Sequence, residues 1–206
     1  MSEFNRQVHW QNVYTEKGEF QVSWFQERPA LSLQLIEGTG AKPASAIVDI
    51  GGGASRLVDA LLEKGYRDVT VLDLSASAAS ISKARLGHAG AAANWIVADV
   101  TQWEPQRQYD LWHDRAAFHF LTETSDQAAY IERLNKALRL GGHAIIGTFA
   151  LDGPERCSGL PVVRYDAVQL STTLGPSFAL VDARHEDHKT PWNAVQRFQF
   201  SVFRRV

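Results

Sequence analysis

From Ser45 to Gly65 the chain reads SAIVDIGGGASRLVDALLEKG. A short apolar run, Ser45 to Ile50, stops at three consecutive glycines. The residues beyond place Leu57, Val58, Leu61 and Leu62 at helical spacing and end at Gly65, a natural helix stop. A second apolar run, VTVLDL, follows at Val69 to Leu74. Strand, glycine turn, helix and strand make a β-α-β unit, and a crossover of this kind joins parallel strands.

The alternation continues. Ser75 to Arg85 is rich in alanine and serine and reads as a helix; WIVADV, Trp95 to Val100, reads as a third strand and Tyr109 to His113 as a fourth. Asp126 to Leu138 carries Tyr130, Ile131, Leu134 and Leu138 on one helical face, and a fifth strand follows Gly141 and Gly142 in RLGGHAIIGTFA. Strands apolar on both faces belong in a parallel sheet covered by helices on either side. The last third differs. In VQRFQFSVF, Val195 to Phe203, Gln196, Phe198, Phe200 and Val202 alternate with Val195, Arg197, Gln199, Ser201 and Phe203. That pattern predicts a half-buried antiparallel strand, with Phe178 to Ala183 as its partner.

Composition sets the outer limits. The 206 residues are 45% apolar and 21% charged, with a formal net charge of −2. This balance argues against nucleic acid as a main partner, though net charge says nothing about a local basic patch, and no nucleic acid is expected. Cys157 is the only cysteine, so no intramolecular disulfide forms and no cysteine-based zinc site is available. The opening MSEFNRQVHWQNVY lacks an apolar core, and no window approaches the ~18 apolar residues of a membrane span. The expectation is a soluble, cytoplasmic protein with no membrane partner.

The loop Asp49-Ile50-Gly51-Gly52-Gly53-Ala54-Ser55 lets the backbone turn tightly and approach a ligand without an intervening Cβ. Asp73 ends the second strand, 22 residues after Gly51. A carboxylate there accepts hydrogen bonds from ribose hydroxyls, which fits NAD as well as other nucleotides. Two features tilt the balance. In G-x-G-x-x-G numbering the third glycine is replaced by Arg56. A further carboxylate, Asp99, ends the third strand in Ala98-Asp99-Val100, placed to meet an adenine amino group with Val100 against the ring.

Taken together, DIGGGAS (Asp49 to Ser55), LDL (Leu72 to Leu74), ADV (Ala98 to Val100), YDLWHDR (Tyr109 to Arg115) and LRLGGHAII (Leu138 to Ile146) resemble the class I S-adenosylmethionine-dependent methyltransferases in order and spacing, over roughly Ala44 to Ala150. The resemblance implies an α/β, three-layer Rossmann-like sandwich. Its sheet is seven-stranded and mostly parallel, with an antiparallel C-terminal strand. It implies one domain over 1–206: an N-terminal helical cap (1–43), a cofactor-binding core (44–150), and an acceptor-side loop with the C-terminal strands (151–206). It implies S-adenosyl-L-methionine as cofactor and S-adenosyl-L-homocysteine as product. Gly51 and Gly53 would approach the methionine and ribose portions, Asp73 the ribose hydroxyls and Asp99 the adenine. Asp49, Leu74 and Val100 complete this set. The usual third glycine of the acidic-x-G-x-G-x-G loop is Ser55 here, a residue suited to capping a helix.

In such folds ligands lie beyond the carboxyl ends of the strands. His113, Asp114 and Arg115 fall at that end of the fourth strand. Neighbouring strand residues point to opposite faces, so His113 and Asp114 serve different tasks. Asp114 is the candidate for touching cofactor or acceptor, His119 the candidate base, and Arg115 a candidate catalytic residue. A structural reading competes for each: a turn cap for Asp114, an ion pair for Arg115, a core histidine for His119. A metal reading of His113, Asp114 and His119, or of His185, Asp187 and His188, matches no familiar ligand spacing.

Aromatic residues gather before the glycine loop. Trp10 and Tyr14 share a helical face. By resemblance this segment covers the cofactor, with Trp24 and Phe25 at its methionine end, where aromatic faces attract a sulfonium. The loop Gly153 to Asp166, with Cys157, Arg164 and Tyr165, and the segment His185 to Pro191 fall on the acceptor side. Cys157 reads as a small buried residue before it reads as a thiol nucleophile.

The acceptor is expected to be a small molecule reached by in-line displacement. No N-P-P-[YF] tetrapeptide follows the fourth strand. Trp112-His113-Asp114-Arg115-Ala116 is similar to the W-D-R-[GA] of small-thiol methyltransferases, interrupted by His113, which points to a thiol. The opening HWQNVY…VSWFQ also resembles the W-x-x-x-Y entry of small protein lysine N-methyltransferases. A non-catalytic nucleotide-binding module or an NAD-dependent reductase remains the alternative of another class. The sequence leaves the oligomeric state open.

Overall fold

The computed structural model describes residues 5–206. Seven strands form one sheet: β1 (Ala46–Ile50), β2 (Asp68–Asp73), β3 (Ala93–Val97), β4 (Tyr109–Arg115), β5 (Leu138–Phe149), β8 (Phe178–Lys189) and β9 (Val195–Arg205). Two short strands, β6 (Arg156–Cys157) and β7 (Leu160–Pro161), form a separate hairpin. The order across the sheet is β3-β2-β1-β4-β5-β9-β8. The first five strands are mutually parallel, and β9 runs antiparallel to both β5 and β8. The chain crosses from β3 to β4 at the far side of β1, so strand order reverses between β1 and β4. A crevice opens at such a reversal.

The helices are α1 (Arg6–Glu16), α2 (Ala30–Gly38), α3 (Leu57–Glu63), α4 (Ala76–Leu86), α5 (Thr124–Ala137) and α6 (Ala167–Leu174). Two apolar layers sandwich the sheet. On one face Tyr130 and Leu134 of α5 and Leu170 and Leu174 of α6 pack with Val48, Trp112 and Ile146. On the other, Leu33 and Ile36 of α2 and Leu57, Val58 and Leu61 of α3 pack with Ile47, Leu111 and Ile145. β1 is buried along its whole length, as the unbroken AIVDI predicts.

Local chemistry sets the helix ends. Ser75 caps α4, its Oγ accepting from Ala78 N–H at 3.1 Å. Asp166 and Gln169 form a reciprocal box at the start of α6. Gly65, at φ +84°, turns the chain out of α3 toward β2.

Three expectations needed adjustment. β3 covers Ala93–Val97 rather than Trp95 to Val100, because Asp99 leaves the ladder to hold Thr101 N–H (2.8 Å) and Thr101 Oγ (2.7 Å). β4 runs on to Arg115. β8 extends past the expected Ala183 to Lys189, so His185 to Lys189 belong to the strand. It lies at the sheet edge with mostly exposed residues, so no apolar alternation marks it.

Candidate active site

The carboxyl ends of β1, β2 and β4 and the turn after β3 surround a cavity of about 860 Å³, open mouth included. One half is built by the β1–β3 side. The loop after β1 begins at Gly51, whose φ of +67° is glycine territory and whose N–H donates to Leu72 O at 2.7 Å. This brings Gly51 to the cavity wall beside Asp73, Leu74, Asp99 and Val100. Gly53 serves packing. A Cβ there would lie 2.5 Å from Asp73 Oδ2 and 2.7 Å from Ala78 Cβ, so the glycine lets the carboxylate and α4 close on the loop.

Asp73 is nearly buried, with Ser75 N–H donating to its Oδ1 at 2.7 Å. Burial pushes its pKa up to about 6, against the Ser75 and Gly53 N–H groups that favour the charged form. Such a carboxylate lacks enough donors, and two vicinal hydroxyls would supply them. Asp99 Oδ2 accepts from Arg6 Nη2 at 3.2 Å, and Arg6 also bonds Asp126 at 2.9 Å. Arg6 thereby ties α1 to the Asp99 side of the cavity.

The other half is aromatic. Trp10, Tyr14 and Trp24 come from the N-terminal segment, Phe120 from the turn after β4, Phe149 from β5 and Phe198 from β9. Trp10 meets Phe120 edge-on at 4.9 Å and Trp24 at 5.6 Å. Trp24 Nε1 donates to Tyr14 Oη at 3.1 Å, fixing both rings. Of the expected cofactor residues, Trp24, Gly51, Asp73, Leu74, Asp99 and Val100 converge on this cavity, with Arg115 opposite.

Asp49 stands one step away, against an adjoining pocket that also includes Phe25. Its Oδ1 accepts from His113 Nδ1 at 2.7 Å, while His113 Nε2 meets Ser32 Oγ at 2.9 Å. His113 is thus a buried clamp between β4, β1 and α2. Gly52 has no room for a side chain, since a Cβ would sit 2.3 Å from Asp49 Oδ2.

Asp114 and His119 do not reach the cavity. Asp114 is fully buried on the α5 face, accepting from Tyr130 Oη at 2.7 Å, Ala117 N at 2.8 Å and Phe118 N at 3.1 Å. It caps the turn in which Ala116 adopts φ +73°. Burial raises its pKa to about 6, with the Tyr130 hydroxyl opposing. His119 is also fully buried. Its Nδ1, the nitrogen with a free pair in this tautomer, accepts from Phe149 N–H at 3.3 Å. Burial, helped by Arg115, depresses its pKa to about 3. The position expected to hold a base instead holds a neutral core histidine.

Several residues of the cavity went unmarked in the sequence. Arg6 had no signal. Trp10 and Tyr14 showed their shared face, which reads equally as packing. Phe198 lay on the inward side of the alternating β9. Cys157 lines the wall nearly buried, and burial lifts its thiol to about 11, so it stays protonated at neutral pH. His188 donates from Nε2 to Ser23 O at 2.7 Å. Among the described residues no group of three or more His, Cys, Asp or Glu is placed to hold a metal ion, and no helix is long and apolar enough to cross a membrane.

Residues 47–142 match a family model described as a methyltransferase domain. A curated relative, malonyl-[acyl-carrier protein] O-methyltransferase 1 of Ilyobacter polytropus, is 28% identical over 111 residues. That covers 53% of this chain and 40% of the relative's length. A structure from a study of the conversion of a disulfide bond into a thioacetal group during echinomycin biosynthesis superposes with a TM-score of 0.76. Its identity is 21%, over 98% of this chain and 92% of that one. The Burkholderia thailandensis 1,6-didemethyltoxoflavin N1-methyltransferase, solved with its substrate and S-adenosylhomocysteine, gives 0.68 at 22% identity, over 97% and 84%. Just under half of the chain is thus similar to a methyltransferase domain, and its fold is the one seen in the S-adenosylmethionine-dependent methyltransferase structures.

Proposed function

We propose that this protein transfers a methyl group from S-adenosylmethionine to a small-molecule acceptor, leaving S-adenosylhomocysteine. The observation that carries this reading is the two-part cavity. Polar groups suited to a nucleoside line one half, and aromatic rings with one guanidinium line the other. The nucleoside fit is specific: Asp73 is a buried, donor-poor carboxylate, and Leu74 and Val100 offer apolar walls for a flat base. Asp99 is the acceptor for the base's amino group. The relatives named above, one of them with S-adenosylhomocysteine bound, support the same cofactor.

When bound, S-adenosylmethionine supplies a methyl group already activated by a sulfonium. The chain's own work is then alignment and exclusion of water. Trp10 and Trp24 offer ring faces that attract a cation and, with α1 over the opening, keep the site dry. Proton removal falls largely to the acceptor itself. The titratable groups at the cavity are Arg6, Tyr14, Asp73, Asp99, Arg115 and Cys157. Asp73 is assigned to ribose and Cys157 stays protonated. Burial pushes the Tyr14 hydroxyl well above its ordinary range. No group in the aromatic half combines an accessible free pair with a near-neutral pKa. The acceptor is therefore one that ionises unaided, such as a thiol, rather than a lysine ammonium that needs a base.

Calorimetric titration with S-adenosylmethionine, S-adenosylhomocysteine and NAD tests this. Micromolar binding of both sulfur ligands, weakened at least about tenfold by Asp73→Ala and with NAD silent, is the expected result. Silence of both sulfur ligands overturns the reading.

A further inference from the structure

Arg115 ends β4, and its side chain reaches toward β9. The guanidinium carbon lies 4.4 Å from the centre of the Phe198 ring on β9, two strands away across the sheet. Only one of its nitrogens has a hydrogen-bond partner: Nη1 donates to Trp24 O at 3.1 Å. Nε and Nη2 are buried without one. The nearest carboxylate oxygen, Glu186 Oε2, is 3.8 Å from Nη2, beyond hydrogen-bond reach, and is itself unsatisfied. Glu186 is held back by its other oxygen, which accepts from Gln26 Nε2 at 3.1 Å.

This pattern is selective. Nε and Nη2 form the side-on edge of a guanidinium, whose parallel N–H groups match the two oxygens of a carboxylate. That edge makes no hydrogen bond, with Glu186 as its ion-pair neighbour, while the opposite end is fixed. Phe198 below and the Trp24 carbonyl beside it hold the plane in place, so little entropy is lost on engagement. Burying a guanidinium with two unpaired nitrogens is costly, and a bound anion would recover that cost. Burial already draws Arg115 below the usual arginine range, with Glu186 opposing. Glu186, at ion-pair distance from Nη2, offsets the guanidinium's charge without filling its hydrogen bonds. Around it stand Phe149, Phe198 and Phe120, which form a slot for a flat apolar body.

We propose that Arg115 recognises the acceptor: the substrate is a small aromatic carboxylic acid, gripped by its carboxylate on Nε and Nη2 in the aromatic half of the cavity. This rests on the methyltransferase reading and narrows it to anionic acceptors. The carboxylate end is the handle and the far end carries the nucleophile.

The test uses the full chain saturated with S-adenosylhomocysteine. Benzoate, phenylacetate and 3-phenylpropionate are titrated by calorimetry alongside their neutral amides. At least one acid is expected to bind at millimolar concentration or better, with its amide about ten- to a hundredfold weaker, the cost of losing a charged hydrogen-bonded pair. Arg115→Met is expected to abolish the preference for acid over amide and Arg115→Lys to keep part of it. Both should leave S-adenosylhomocysteine affinity within about twofold. The acid–amide comparison in the unaltered protein stands even if a variant fails to fold. Equal binding of acid and amide, or no binding of any acid, overturns the proposal. Loss of S-adenosylhomocysteine affinity in Arg115→Met with acid binding intact also overturns it, by assigning the guanidinium to the cofactor's own carboxylate. Failure of the unaltered protein to bind S-adenosylhomocysteine overturns the methyltransferase reading and this proposal with it, and so marks the two failures apart.

Discussion

Asp73 has the most exposed consequences at the scale of single residues. Its carboxylate has a pKa near 6 without ligand, raised by burial. Ribose hydroxyls bind its charged form, so ligand binding requires the proton to leave. Affinity for S-adenosylhomocysteine should be flat above pH ~7 and fall about tenfold per pH unit below about 6. Asp73→Asn should bind weakly and lose this dependence, which calorimetry across pH reads directly. His119 makes the opposite kind of prediction. Its folded pKa is depressed, so it contributes stability above the ordinary histidine pKa and loses it as pH falls toward 3. His119→Phe should leave the Phe149 N–H unpaired and cost about 1–3 kcal/mol by denaturant unfolding at pH 7. Cofactor affinity should not change. The sequence marked Asp73 clearly, as a carboxylate at the end of a strand after a glycine loop, and that residue lines the cavity. It showed Asp114 and His119 as chemistry when both are structural. Nothing in HDRAAFHF reveals that Tyr130, sixteen residues on, will take up the Asp114 carboxylate, or that a backbone N–H of β5 will occupy His119.

Among the elements, α1 differs from the rest. Val13 is its only buried residue, and beside the Trp10–Tyr14 face it docks through polar contacts. Arg6 reaches Asp99 and Asp126, while Gln11 Oε1 accepts from Ser75 Oγ at 3.1 Å and Gln11 Nε2 donates to Ser77 Oγ at 2.6 Å. Partly exposed ion pairs contribute about 1 kcal/mol or less, so this helix is the most readily released cover of the cavity. Arg6→Ala should speed amide hydrogen exchange across 6–16 severalfold while leaving β1, β2 and β4 unchanged. If exchange in α1 already matches that of the core and does not respond, the helix is fixed and not a cover. The strands of the core were legible because burial on both faces leaves an unbroken apolar run. The docking of α1 and the length of β8 were not. Polar side chains add to the Trp10–Tyr14 face in holding α1, and β8 faces solvent at the sheet edge.

For the whole molecule, the reversal of strand order between β1 and β4 decides everything else. It brings the glycine loop, Asp73 and Asp99 to one side of a crevice, and sends Arg115 and the aromatic rings of β5 and β9 to the other. The succession of motifs carried this half of the architecture from sequence alone. The aromatic half depends on contacts between residues as distant as Trp10, Phe120 and Phe198, which no local pattern records. The most direct test of that division is a crystal structure of the complex with S-adenosylhomocysteine. The account predicts ligand density against Gly51, Leu74 and Val100, its ribose on Asp73, and no atom of this ligand bonded to Nε or Nη2 of Arg115. A ligand seated among Phe149, Phe198 and Arg115, with Asp73 left bare, would contradict it.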